Sequence, residues 1–125
     1  MNVLILTLDG VPTVMPDADV LVVAPALNSR LRHWVSDEDA ARRRAEDRVA
    51  AFVEHLERSG IHAQGRVGDA DPLLAIADAL SMFPADEIVI AAGNSSRLVE
   101  RLAARARERF QLPTSHGPEP IPRAA

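Results

Sequence analysis

Four runs of apolar residues along the chain predict β-strands. Residues 2–8 (NVLILTL), 20–25 (VLVVAP) and 87–92 (EIVIAA) are almost continuously apolar and contain many branched side chains. Unbroken runs of this kind are typical of strands that are buried on both faces. A fourth run, 61–67 (IHAQGRV), alternates apolar with polar positions except where Gly65 breaks the pattern. This run predicts a half-buried strand at the edge of a sheet.

The longest segment with helical spacing covers residues 37–59. Ser36 precedes it as a candidate N-cap, and Gly60 follows it at the place where glycine commonly ends a helix. Its apolar positions recur three and four residues apart, as in a helix that covers a sheet with one face. They are Ala45, Val49, Phe52, Val53 and Leu56.

Two further segments predict amphipathic helices. Asp71-Pro72 is an N-cap followed by proline at the first helical position, and Pro84 is predicted to end this helix. The last helix is predicted from residue 95 or 96 to residue 110. The inward positions predicted for it are Leu98, Val99, Leu102, Ala106 and Phe110.

The order of these elements predicts an α/β fold. Continuous apolar strands that alternate with amphipathic helices favour three layers, with helices on both faces of a mostly parallel, doubly wound sheet. The segment 10–19 carries Pro12 and Pro16 and no helical period, so the first crossover helix is missing. Strand 2–8 is therefore predicted either to pair antiparallel with 20–25 or to reach it through an irregular link.

Composition narrows the classes of function. The 125 residues suffice for one domain, and the absence of cysteine excludes disulfides, zinc–thiolate sites and cysteine nucleophiles. A net charge of −4 argues against general binding of nucleic acid. The apolar runs are too short to span a bilayer, and the first residues lack the basic start of a signal peptide. We therefore expect a cytoplasmic protein that does not bind membranes.

Three segments resemble the universal stress protein family. Residues 4–10 (LILTLDG) are similar to its first strand, which ends in an Asp-Gly turn. Residues 68–73 (GDADPL) resemble its Gly-Asp-Pro helix entry, and 85–90 (ADEIVI) its fourth strand. The order of elements over 19–110 fits the family, and 24–40 resembles divergent actinobacterial members. The resemblance implies a five-stranded parallel sheet of order 3-2-1-4-5, and often a dimer. For this chain we expect a mostly parallel sheet of five strands or four.

The chain departs from this family at the nucleotide-binding loop. Members that bind ATP carry Gly-x2-Gly-x9-Gly-Ser/Thr after the fourth strand, where glycines let backbone N–H groups approach phosphates. Starting at Gly93, the next two glycines of this pattern fall on Ser96 and Ala106. No other register restores it, because Gly93 is the only glycine between Gly68 and Gly117. We therefore expect no tight ATP binding and no cofactor.

The end of the chain departs from the family as well. The last family strand is replaced by PTSHGP at 113–118, a poor strand sequence. Residues 113–125 hold four prolines and no period. The domain is therefore predicted to cover 1–112, with a flexible tail over 113–125. Residues 114–125 are predicted to be dispensable, because they bury too little apolar surface to offset the entropy of ordering them.

Candidate ligand-binding residues follow two of the predicted strands. Open α/β sheets bind ligands at the carboxyl ends of their strands. Asp9 follows strand 2–8, and Gly68 and Asp69 follow strand 61–67. The two aspartates resemble family positions near the nucleotide. The alternative is that Asp9 makes a turn and Asp69 caps a loop.

A polar loop leads from the fourth predicted strand into the last helix. It consists of Gly93, Asn94, Ser95, Ser96 and Arg97. Free backbone N–H groups, two hydroxyls and one guanidinium suit an anion. The alternative is plain capping of the helix by Asn94 or Ser95.

Other kinds of site have no support in the sequence. The four histidines show no spacing of metal ligands, so no metal site is expected. The serines lack the Gly-x-Ser-x-Gly motif, and no nucleophile is placed beside a base, so we expect no catalytic residues and no enzyme. A basic stretch around Trp34 is either a solvated helix face or a surface for a phosphate or an acidic partner.

These observations favour a universal stress protein-like, non-catalytic domain that regulates or interacts with other proteins. The alternative is a small-molecule binding protein that holds a nucleotide or an anion at the strand ends. A homodimer is also expected. Without the first crossover helix, one apolar side of strand 2–8 would form an exposed patch, and such patches usually mark interfaces.

Overall fold

The computed structural model describes residues 1–8, 18–26, 38–93 and 96–117 of the chain. Within these ranges it contains five strands and three helices. The strands are β1 (Asn2–Thr7), β2 (Asp19–Pro25), β3 (His62–Gly68), β4 (Glu87–Ala91) and β5 (Thr114–Gly117). The helices are α1 (Glu38–Arg58), α2 (Pro72–Leu80) and α3 (Arg97–Phe110).

The five strands form one parallel sheet of order β3-β2-β1-β4-β5. The α/β fold and the strand order expected from the sequence are confirmed, and β3 lies at an edge, as its alternating pattern predicted. Of the two pairings left open for β1, the parallel one is found, with Val3 opposite Val20. Residues 9–17, which connect these two strands, lie outside the described residues.

Both faces of the sheet are buried, and successive side chains of β1 lie on opposite faces. Val3 and Ile5 belong to the cluster on the α1 face, whereas Leu4 and Leu6 belong to the cluster beneath α2 and α3. Because both sides of the strand need apolar cover, its sequence is continuously apolar. The helical members of the first cluster are Ala45, Val49, Phe52 and Leu56. Those of the second are Ala75, Ile76, Ala79, Val99, Ala103 and Ala106.

The exposed apolar patch expected beside β1 does not occur in the described structure. On the α1 face, Val3 and Ile5 are fully buried and Val89 is only 4% exposed. A single chain therefore already shields the side chains that were expected to need a second copy. The argument for a homodimer from this face is wrong, and the homodimer itself stays a prediction.

The flexible tail expected over 113–125 is wrong for its first part, because the chain continues there into β5. This strand runs parallel to β4, with Thr114 opposite Ile88. Pro113 stands just before the strand, and its carbonyl accepts a 2.9 Å hydrogen bond from the N–H of Ile88. At this position, its missing N–H costs no ladder bond. The domain therefore includes β5, and residues 118–125 lie outside the described residues.

The end of α2 also differs from the expectation. The helix stops at Leu80, with Ser81 as its C-cap, rather than at Pro84. The N–H of Phe83 still bonds to the carbonyl of Ala79 at 2.9 Å, so the chain makes a further turn before the proline. The residue before a proline is kept out of the helical region, which unwinds the end of the segment.

Four of the five inward positions predicted for α3 are confirmed. Val99 and Ala106 are buried, and Leu102 and Phe110 pack partly buried against the same cluster. The fifth position, Leu98, is wrong, since it is 76% exposed. Ala103, which was not predicted, is buried with Ala106 against the sheet, where small side chains allow a close approach of the helix.

Candidate functional site

The carboxyl ends of β1 and β4 meet where the direction of the crossovers reverses. The chain passes from β1 to β2 on one side of it, and β4 returns to the other side. Such a switch point is where open α/β sheets bind ligands. The N–H of Leu8 donates to the carbonyl of Ala91 at 2.9 Å, which keeps the two strand ends together. Three predicted site residues of this region, Asp9, Asn94 and Ser95, lie outside the described residues, as does Trp34.

The described candidates fall into two separate groups. Gly68 ends β3 and Asp69 follows it, whereas Gly93, Ser96 and Arg97 follow β4. In the sheet, β2 and β1 lie between these strands, so three strand spacings of about 4.8 Å separate the two groups, roughly 14 Å in all. The structure therefore does not bring the described candidates together around one small group.

Gly68 is explained by packing. A Cβ atom at this position would lie 2.7 Å from the Cβ of Ala75 in α2 and 3.0 Å from Cγ1 of Val23 in β2. These separations are shorter than normal contacts between carbon atoms. A glycine at the end of β3 thus lets α2 sit directly on the sheet, and this accounts for the residue without a ligand.

Asp69 is engaged in the loop that starts α2. Its Oδ1 accepts a 2.9 Å hydrogen bond from the N–H of Asp71, and Oδ1 of Asp71 accepts one of 3.0 Å from the N–H of Leu73. These are the local bonds by which aspartate stabilises turns and helix starts. The capping alternative given for Asp69 therefore agrees with its contacts.

A small cleft of about 320 Å³ adjoins Asp69 at the ends of β2 and β3. It is lined by Asp39 and Arg42 of α1 together with Ala26 and Ala70. The side chains of Asp39, Arg42 and Asp69 are exposed, so bulk water screens their charges. The cleft offers two carboxylates and one guanidinium, without a buried polar group that would select a ligand.

Ser96 is the N-cap of α3, in place of the Asn94 or Ser95 given by the sequence. Its backbone is extended, with φ −123° and ψ 168°, and its Oγ accepts a 3.2 Å hydrogen bond from the N–H of Val99. One of the four N–H groups at this helix start is therefore already satisfied by the chain. Arg97 follows as an exposed side chain in the first turn.

The architecture matches that of a solved protein of the universal stress protein family from Arabidopsis thaliana, determined with AMP bound. The match has a TM-score of 0.55 and covers 84% of this chain and 67% of that chain. The fold is that of a universal stress protein. The sequence identity is 13%, so the likeness establishes the fold alone. No family model and no curated protein sequence matches the chain.

Within this universal stress protein fold, the sequence reasoning missed a buried hydroxyl. Thr7 is the last residue of β1, lies opposite Ala91 of β4, and is fully buried. Its Oγ1 has no hydrogen-bond partner in the described structure. Buried polar atoms nearly always have a partner, so an exception next to the switch point is notable. The available signal was that Thr7 is the one hydroxyl in the apolar run 2–8.

A second buried polar atom lies on the same face of the universal stress protein fold. Nη1 of Arg48, in α1, is inaccessible to solvent and has no hydrogen-bond partner in the described structure. Arg48 follows the buried Ala45 by three residues and precedes the buried Phe52 by four. This spacing places the side chain toward the inward face of α1, which was the signal that sequence reasoning overlooked.

Neither a metal-binding cluster nor a membrane-spanning helix is found among the described residues. They contain no set of three or more histidine, cysteine or carboxylate side chains arranged to hold a metal ion. None of the described helices combines the length and the apolar character needed to cross a bilayer.

Proposed function

We propose that this chain is a universal stress protein-like domain that regulates or interacts with other proteins, performs no catalysis and does not hold ATP through a glycine loop. The fold supports the first part of this proposal, since it matches a protein of that family. The connection between β4 and α3 supports the last part.

The connection between β4 and α3 is too short for the ATP-binding glycine pattern. Only residues 92–96 lie between the two elements. The second position of the pattern is Ser96, whose Oγ already caps the helix, and the third is Ala106, which is fully buried inside α3. A loop whose glycines wrap around phosphates would have to replace the first part of α3 and remove part of the core.

The hydroxyl groups of three described serines support the non-catalytic part of the proposal. Ser59 and Ser81 donate to backbone carbonyls within their own helical segments, and Ser96 accepts from a backbone N–H. None of these three bonds involves a histidine or carboxylate base, as nucleophilic catalysis would require.

Isothermal titration calorimetry with ATP and magnesium tests the proposal on the full chain. We expect no saturable heat, because the backbone groups that would receive the phosphates are folded into α3. A micromolar affinity for ATP would overturn the proposal. The same titration with a variant chain, Ser96→Gly, is the matched control, since glycine opens the second position of the pattern while Ala106 stays in place.

A second candidate function is the binding of a small nucleotide or anion at the strand ends. The fully buried hydroxyl of Thr7, which lacks a hydrogen-bond partner in the described structure, favours it. The matching Arabidopsis structure was determined with AMP bound. A thermal-shift screen with AMP, cyclic nucleotides, phosphate and sulfate separates the two candidates. A rise in melting temperature with one compound, lost in Thr7→Val, would favour the second. If no compound shifts the melting temperature, the first candidate function, a regulatory or interaction domain, is favoured.

A further inference from the structure

Four arginines form a single stripe along α3. Arg97, Arg101, Arg105 and Arg109 follow one another at intervals of four residues, and all four are exposed. Residues spaced in this way are neighbours on a helix surface. The helix holds five arginines and two glutamates, a net charge of +3, although the whole chain carries −4. Positive charge is therefore concentrated on this helix.

The charge of the stripe is not neutralised by the described part of the chain. The ion pairs found there join Arg42 to Glu46, Arg58 to Glu54 and His62 to Asp19, and none includes an arginine of the stripe. Like charges four residues apart destabilise a helix. Arg109 lies 5.4 Å from the ring centroid of Phe110, but no ion pair with a carboxylate compensates the stripe in the described part of the chain. A sequence that departs from a local stability rule in this way commonly does so at a functional surface.

Apolar side chains lie beside the stripe, in the space between α2 and α3. One cleft of about 330 Å³ is lined by Leu73, Leu98, Leu102, Arg101 and Arg105, together with Pro72 and the helix cap Asp71. A second cleft of about 520 Å³ is lined by Leu73, Arg105, Glu108 and Arg109. The two clefts share Leu73 and Arg105, so they are parts of one groove. We call it the basic groove, with leucines 73, 98 and 102 as its floor and arginines 101, 105 and 109 as its rim.

We propose that the basic groove docks an acidic segment of another protein. Leucines on its floor would contact apolar side chains of that segment, and the arginines of the rim would bind its carboxylates. Leu98 is 76% exposed, so it is available for such a contact. This inference rests on the proposed interaction role and names the class of partner.

The groove fits this occupant better than other anions. From Arg97 to Arg109 the stripe is about 18 Å long at about 1.5 Å per residue, too long for one small anion. Single-stranded nucleic acids are bound by aromatic side chains that stack on bases, and no aromatic residue lines either cleft. Helices that lie in membranes present a broad apolar face to lipid, whereas that of α3 is buried in the core.

Fluorescence anisotropy on the full chain tests the proposal. The probe is a labelled synthetic helical peptide with leucines at helical spacing and glutamates at its other positions. We expect saturable binding that weakens as salt is raised, because exposed charges are screened. Arg101→Glu with Arg105→Glu should weaken binding by roughly tenfold or more. The matched control is the double variant Arg43→Glu with Arg44→Glu, at exposed positions of α1 on the other face of the sheet. This variant should leave binding of the peptide unchanged.

Further measurements separate the remaining outcomes. Leu98→Gln should weaken binding of the peptide while the melting temperature stays the same, which identifies the apolar contact. Absence of binding, equal losses in both double variants, or tighter binding of oligo(dT) or phosphatidylserine vesicles would overturn the proposal. Tight ATP binding in calorimetry would instead defeat the proposed function alone, because the groove and the strand ends are separate surfaces.

Discussion

Gly65 of β3 lies directly against Val49 of α1, with no room for a side chain between them. A Cβ atom on Gly65 would collide with Cγ1 of Val49 and would lie 2.9 Å from Cγ2 of Val53. In the sequence, this glycine appeared only as a break in the alternating pattern. Glycine in a strand often marks the close approach of another backbone, and here it lets α1 rest on the edge of the sheet.

The first prediction is that Gly65→Ala destabilises the domain. The added methyl group overpacks the contact with Val49, which should lower the free energy of unfolding by about 1–3 kcal/mol. Urea denaturation measures the change. Gln64→Ala, at the next and exposed position, is the control and should stay within about 0.5 kcal/mol. Combining Gly65→Ala with Val49→Ala should recover part of the loss, and strictly additive losses would contradict this contact.

The second prediction concerns the buried hydroxyl of Thr7. Thr7→Val keeps the shape of the side chain and removes an oxygen that has no hydrogen-bond partner in the described structure. Since a buried polar group without a partner costs about 1–3 kcal/mol, the variant should be more stable than the parent by about 1 kcal/mol. Thermal and urea denaturation measure the difference. A clear loss of stability would mean that the hydroxyl has a partner in the native protein.

The third prediction distinguishes capping from ligand binding at Ser96. Ser96→Ala should cost about 1 kcal/mol of stability, because the N–H of Val99 loses its acceptor. Ser96→Asp should keep the stability, since aspartate caps helices equally well. Both variants are compared by urea denaturation without added ligand. If Ser96→Ala were neutral, the serine would be serving some purpose other than the cap.

The fourth prediction tests which face of α3 is inward. Val99→Ala should lower the free energy of unfolding by about 1–3 kcal/mol, because Val99 is buried. Leu98→Ala removes more apolar atoms, yet it should stay within about 0.5 kcal/mol, since this side chain is exposed. The pair is a matched comparison of neighbouring residues. A loss for Leu98→Ala as large as that for Val99→Ala would support the sequence prediction, which placed both residues inward.

The fifth prediction concerns β5. Deleting residues 114–125 should lower the free energy of unfolding by about 2 kcal/mol or more, since several hydrogen bonds of about 0.5–1.5 kcal/mol each are lost. The carbonyl of Thr114 accepts a 2.9 Å bond from Nη2 of Arg107, and Thr114 is only 8% exposed. Denaturant titration of the shortened chain decides the matter. An unchanged denaturation midpoint would support the sequence prediction that residues 114–125 are dispensable.

The elements with the strongest apolar patterns were predictable from the sequence. β1, β2 and β4 are buried on both faces, so almost every side chain had to be apolar, and the runs were recognisable. The start of α2 was equally predictable. Asp71 caps the helix and Pro72 occupies its first turn, and the preference of these residue types for these positions depends only on the neighbouring backbone. β5 was missed, because its sequence carries no apolar period. Its place depends on the open edge of β4.

The candidate site shows the same division. Asp69 and Ser96 were recognised as polar residues after strands. Capping was named as the alternative for Asp69, but the cap of α3 was assigned to Asn94 or Ser95 instead of Ser96. Thr7 and Arg48 were not singled out, because a threonine in a strand and an arginine in a helix are common. Only the tertiary structure shows that their polar atoms are buried without a described partner.

The sequence by itself determined the fold class and most of the element order, because period and turn chemistry depend on residues close together in the chain. Only the tertiary structure decided the parallel pairing of β1 with β2, the inclusion of β5 and the exposure of Leu98 on α3. These outcomes depend on contacts between residues far apart in sequence, such as Ile88 with Pro113. A local sequence pattern does not show which distant strand edge is open or which apolar positions of a helix pack against the sheet. Contacts formed in the folded chain decide both.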